Sequence, residues 1–102
     1  MIARTWRGAT ASADADDYVA YIEQTGMAEY LATPGNRGAL LLRRELGELT
    51  EFVTFSLWES MDAVRAFAGD DPERAVYYPE DERFLVERDM HVTHHEVAHS
   101  AL

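Results

Sequence analysis

The chain has 102 residues, no cysteine, no lysine and a formal net charge of −10. Without cysteine it has no disulfide, no thiolate metal ligand and no cysteine nucleophile, and its acidic balance repels phosphate backbones and argues against a nucleic-acid partner. No apolar run nears the roughly 20 residues of a membrane span. The opening Met1-Ile2-Ala3-Arg4-Thr5-Trp6-Arg7 lacks the pattern of a secretory leader, so a single domain over 1–102 in the cytoplasm is expected.

Residues 2–8 are rich in β-branched and aromatic side chains and stop at Gly8, which predicts a strand. Residues 9–13 are small and polar and read as a loop. Asp14 is placed to cap a helix, with Asp16 and Asp17 in its first turn, where negative charge suits the helix dipole. Tyr18, Ile22, Met27, Tyr30 and Leu31 recur at roughly helical spacing, Gly26 weakens the middle, and Thr33-Pro34-Gly35-Asn36 ends the helix.

Residues 37–46 and 49–58 flank Gly47-Glu48, a pair suited to a two-residue type II′ hairpin loop. Counting outward from Leu46 and Leu49 pairs Leu42 with Val53, Leu40 with Phe55 and Gly38 with Leu57 on one largely apolar face. The other face pairs Arg43 with Phe52, Leu41 with Thr54, Ala39 with Ser56 and Arg37 with Trp58. Arg44 falls opposite Glu51, a favourable cross-strand pair. The mixed face, with Leu41, Phe52 and Trp58, is expected to turn away from the helices and to be covered by a second sheet.

Ser60 is placed to cap a second helix that buries Met61, Val64, Phe67 and Ala68 and stops at Gly69. Asp71-Pro72 suggests a short helical restart, which Tyr77-Tyr78-Pro79 breaks. Residues 80–86 suggest one more turn of helix, and residues 88–98 a last strand. The order is β-α-β-β-α-β, the split βαβ unit of ferredoxin-like α+β domains. Its helices cover one face of a four-stranded antiparallel sheet, and a face-to-face homodimer is expected to cover the other.

The stretch Phe52-Val53-Thr54-Phe55-Ser56-Leu57-Trp58-Glu59-Ser60-Met61-Asp62-Ala63-Val64-Arg65-Ala66-Phe67 runs from an apolar strand through Trp, an acid and Ser into a helix that ends in an aromatic. With Pro34-Gly35 ahead of the hairpin, it resembles the antibiotic biosynthesis monooxygenase family of dimeric α+β barrels. The resemblance implies a monooxygenase-type oxidoreductase that needs no cofactor and acts on a small, electron-rich aromatic of polyketide or quinol type. It equally admits a non-catalytic dimeric binding or accessory protein on the same fold. Haem degraders form a third branch. Their pattern has an Asn on the first strand, a Trp where this chain has Phe67 and a haem-ligating His where it has Tyr77. This chain departs from all three, so no haem is expected.

The resemblance places a pocket mouth after the second helix, where Tyr77 and Tyr78 can donate hydrogen bonds to a developing phenolate. Phe67 and Trp58 are the apolar residues expected against a substrate, Trp58 also serving as a core or interface anchor. The histidines are His91, His94, His95 and His99. On a strand His91, His95 and His99 point to one side and His94 to the other, too far apart to share a metal. His95, or a water, is the expected general base, since imidazole titrates near neutrality. Asp70-Asp71 and Glu80-Asp81-Glu82 read as caps and solvated surface. No glycine-rich phosphate loop or serine nucleophile elbow is present.

Overall fold

A computed structural model describes residues 1–102. Strand β1 (Ile2–Ala11) lies inside the sheet. It runs antiparallel to β3 (Leu49–Trp58) on one side. On the other it meets β4 (Leu85–Arg88) near its end and β5 (Thr93–Glu96) near its start. Strand β2 (Asn36–Leu46) pairs with the far side of β3, giving the order β2-β3-β1-β4 with β5 also on β1. Helices α1 (Ala15–Gln24), α2 (Gly26–Ala32), α3 (Met61–Ala68) and the short α4 (Asp81–Phe84) complete a ferredoxin-like α+β fold.

The hairpin register matches the counted one from Leu46↔Leu49 to Gly38↔Leu57, including Arg44↔Glu51. Gly47 has φ +65 while no non-glycine residue has positive φ, as a type II′ loop requires. The register then shifts between Asn36 and Gly38, so Asn36, not Arg37, faces Trp58. The Asn36 side chain accepts from the Gly38 N–H at 3.0 Å and so stabilises this bulge.

The assignment of the two faces is corrected. The mixed face lies under the helices. Phe52 is fully buried with Ala15, Tyr18, Ile22 and Phe84, and Trp58 with Tyr30 and Val64. Of the small polar residues between them, Ser56 is satisfied internally, its Oγ accepting from Trp58 Nε1 at 2.9 Å. Burying Phe52 alone contributes about 1.5–3 kcal/mol. The open face is the apolar one, with Leu40 57%, Leu42 48% and Leu46 39% exposed.

Three local readings also change. Thr25 interrupts the first helix, splitting it into α1 and α2. Asp71-Pro72 forms a turn and no helix, and 69–80 becomes an irregular strap joined to the sheet by an Arg74↔His91 bridge. That bridge falls between β4 and β5, so the last strand is broken in two. Ser60 caps α3 as expected, accepting from the Ala63 N–H at 3.2 Å, and Gly69 ends it at φ +88.

Candidate functional site

A cavity of about 40 Å³ lies between the helix-covered face of the sheet, α1 and α2, and the 69–80 strap. The helix break at Thr25 shapes it. Gly26, the first residue of α2, is buried, and a Cβ built on it would lie 3.7 Å from the Tyr78 ring. Trp6 and Arg4 rise into the cavity from β1, Phe67 closes it from α3, and Tyr77 and Tyr78 come from the strap. Trp6 has room because position 8 is glycine: a Cβ there would collide with the indole.

Arg4 and Asp81 are the two charged residues lining this mostly apolar space, and neither makes an ion pair. Arg4 is 3% exposed. Its guanidinium donates through Nη1 to the Pro72 carbonyl and to His94 Nε2 at 3.1 Å, and through Nη2 to the Arg74 carbonyl at 3.3 Å. It lies 5.7 Å from the centre of the Phe67 ring. Burial pulls its pKa below the usual arginine value.

Asp81, at the first residue of α4, is 5% exposed. Its Oδ2 accepts from the Tyr78 N–H at 2.6 Å. Burial raises its pKa, opposed by that hydrogen bond and by the charge of Arg88. A carboxyl so placed is suited to accept a proton. Its neighbours Glu80 and Glu82 are exposed, so the acidic run hides one buried member that reads in sequence like the rest.

The two tyrosines differ. The Tyr77 hydroxyl donates to the Asp89 carbonyl and accepts from Trp6 Nε1 at 3.0 Å, so its proton is committed. The Tyr78 hydroxyl has no hydrogen-bond partner in the protein, and burial first of all, then Glu29, pushes its pKa up to about 12. Tyr78 is therefore the free donor. Phe67 is a cavity wall. Trp58 is fully buried behind it, ring centres 5.5 Å apart, and does not line the space.

The register puts His95 opposite Ala3 on the open face, away from the cavity, and leaves it exposed. His94, opposite Arg4, is the histidine on the cavity side. Burial, then the Arg4 charge, lowers its pKa, and its Nε2 accepts the Arg4 hydrogen bond, so the ring is neutral. No three side chains among His, Asp and Glu come together as a metal site.

No family model matches the sequence, and no curated protein does. Solved structures do. A provisionally named antibiotic biosynthesis monooxygenase from Bacillus cereus is 15% identical with a TM-score of 0.69, the alignment covering 99% of this chain and 96% of that one. Rv0793 from Mycobacterium tuberculosis is 20% identical with a TM-score of 0.66, over 99% and 98%. A variant of MhuD with two manganese protoporphyrin IX molecules per active site is 21% identical with a TM-score of 0.61, over 99% and 98%. From end to end, the chain has the fold of antibiotic biosynthesis monooxygenase-type proteins.

Proposed function

We propose that the cavity is the active site of a cofactor-independent monooxygenase acting on a flat aromatic with an acidic C–H beside a hydroxyl or keto group. The observation that carries this reading is that the buried Asp81 carboxyl and Tyr78, whose hydroxyl has no protein partner, line one aromatic-walled space. Asp81 takes the C–H proton, the base role expected of His95, and Tyr78 donates to the oxygen on which negative charge collects. The carbanion reduces dioxygen and bonds to one of its atoms. Loss of water then completes CH2 + O2 → C=O + H2O, with no external reductant. Tyr77 fixes the strap to Trp6 and Asp89, and Phe67 is a wall with Trp58 as its backing.

A cavity of about 40 Å³ is below the roughly 300 Å³ of a small-molecule site, so the 69–80 strap must swing out for a ring to enter. The closed state favours the second reading, a binding or accessory protein that closes over its ligand without turnover. Haem does not suit these residues. Tyr77, at the position of the haem ligand in the degraders, has its oxygen and proton already engaged, and His94 Nε2 is taken by Arg4.

The open face fits a second copy of the chain. Its charges cancel: Glu51 bonds Arg44 and Arg7 at 2.6 Å each, and Arg7 bonds Glu87 at 3.0 Å. Two chains of net charge −10 repel elsewhere, whereas this neutral, leucine-rich face lets them meet.

The test of the reaction is oxygen labelling with 1,8-dihydroxyanthrone and metal-stripped protein. One labelled oxygen per quinone and one dioxygen consumed per product, at a rate above autoxidation, are expected. A rate equal to autoxidation would transfer the case to the binding protein.

A further inference from the structure

We propose that Arg4 is the seat for an oxyanion of the ligand, a carboxylate or phenolate oxygen carried by the aromatic that enters the cavity. This rests on the reading of the cavity as the ligand site. Arg4 is 3% exposed and lines the cavity, yet no carboxylate pairs with it. Buried guanidinium groups ordinarily meet a negative charge, because carbonyl dipoles replace only part of the lost hydration. Here its protein partners are the Pro72 and Arg74 carbonyls and a neutral imidazole. Of its five N–H groups, Nε–H and one Nη2–H have no partner. Donors left on two neighbouring nitrogens suit an incoming oxyanion. Asp81, the one acid in the lining, is beyond ion-pair reach of Arg4, so the cavity keeps a cationic pole and a proton-accepting pole apart.

The placement also says what the anion does on arrival. Two of the Arg4 bonds hold the strap, through the carbonyls of Pro72 and Arg74. A ligand oxyanion on the two free donors shares the guanidinium with those carbonyls, so binding and strap position are coupled through one side chain. A neutral aromatic of the same shape leaves the guanidinium uncompensated.

Isothermal titration at pH 7 separates the possibilities without requiring turnover. The carboxylate probe is 2-naphthoate against neutral 2-naphthamide. The phenolate probe is 2,4-dinitro-1-naphthol, ionised at this pH, against 1,3-dinitronaphthalene. At least one anion is expected to bind the parent about tenfold or more tighter than its neutral partner, and the pair that shows the gap identifies the source of the oxyanion. In Arg4→Met, which keeps bulk without charge, the ratio is expected to fall to about one. Arg4→Gln is the second variant should Arg4→Met not fold. Equal binding of anion and neutral probe by the parent, no binding of either anion, or a ratio that survives loss of the guanidinium would each overturn the proposal and leave Arg4 as a tie for the strap alone. Anion preference without oxygen consumption would keep this inference and remove the oxygenase reading. Oxygen consumption without anion preference would do the reverse.

Discussion

Tyr77 and Tyr78 stand side by side but differ in their hydrogen bonding, and the proposed function gives them separate duties. Tyr78→Phe removes a hydroxyl that no protein group uses, so the thermal midpoint is expected to stay near the parent while turnover of an anthrone falls about tenfold or more. Tyr77→Phe breaks the bonds to Trp6 and Asp89 and should cost about 1 kcal/mol of stability in a denaturant titration, with little change in turnover of the folded protein. Equal loss of rate in both would contradict the division. Glu51 supplies a pH signature. Hydrogen bonds first from Arg44, then from Arg7, hold its carboxyl down at about 2. A carboxyl lowered on folding stabilises the protein above its unfolded pKa, and that contribution disappears as pH falls through the folded one. The thermal midpoint of the parent should therefore fall more steeply than that of Glu51→Gln between about pH 4.5 and 2; parallel curves would show that the pair of arginines adds nothing. Asp81 escaped sequence reasoning for a physical reason. Glu80-Asp81-Glu82 looks like a solvated run, and which member is buried depends on how α4 packs under the strap. The one available cue was position: Asp81 lies three residues after Tyr78, the spacing at which a side chain can turn back to a backbone N–H.

Elements with strong local signals were legible. The hairpin register followed from Gly47-Glu48 and alternation, and Ser60 and Gly69 marked the ends of α3. The choice of face was not legible, because a face of Phe52, Thr54, Ser56 and Trp58 is less apolar than one of Val53, Phe55 and Leu57. Burial went to the mixed face, where hydroxyls such as Ser56 Oγ meet the Trp58 N–H and the Arg4 carbonyl. The strap was likewise hidden, since its anchors are distant in sequence: Ala75 N–H to the Met90 carbonyl at 2.9 Å and Val92 N–H to the Glu73 carbonyl at 2.8 Å. If Arg4 ties the strap down, Arg4→Met should open it locally. Trypsin cleavage after the exposed Arg74 is then expected to be several-fold faster than in the parent at equal global stability. Unchanged cleavage would mean that the backbone bonds alone hold the strap.

For the whole molecule, the exchange of faces moves the expected interface onto Leu40, Leu42 and Leu46. Sedimentation equilibrium should give twice the 11.6 kDa chain mass. Leu40→Glu is expected to yield a folded monomer, because the charge sits on the open face. Phe52→Glu should instead unfold the chain by placing an unpaired charge in the core. A folded monomeric Phe52→Glu, or a parent that sediments as 11.6 kDa, would contradict this arrangement. Across the molecule, one face of the sheet holds a small cavity with a separated acid and guanidinium, and the other is the neutral apolar surface proposed to meet a second chain. The proposed chemistry rests on the first of these, and within it on the buried carboxyl. Asp81→Asn keeps an acceptor for the Tyr78 N–H and removes the proposed base. Oxygen uptake by metal-stripped parent and Asp81→Asn with 1,8-dihydroxyanthrone is the most direct measurement. The account predicts a folded variant slowed about 100-fold or more, and a variant that consumes oxygen at the parent's rate would contradict it.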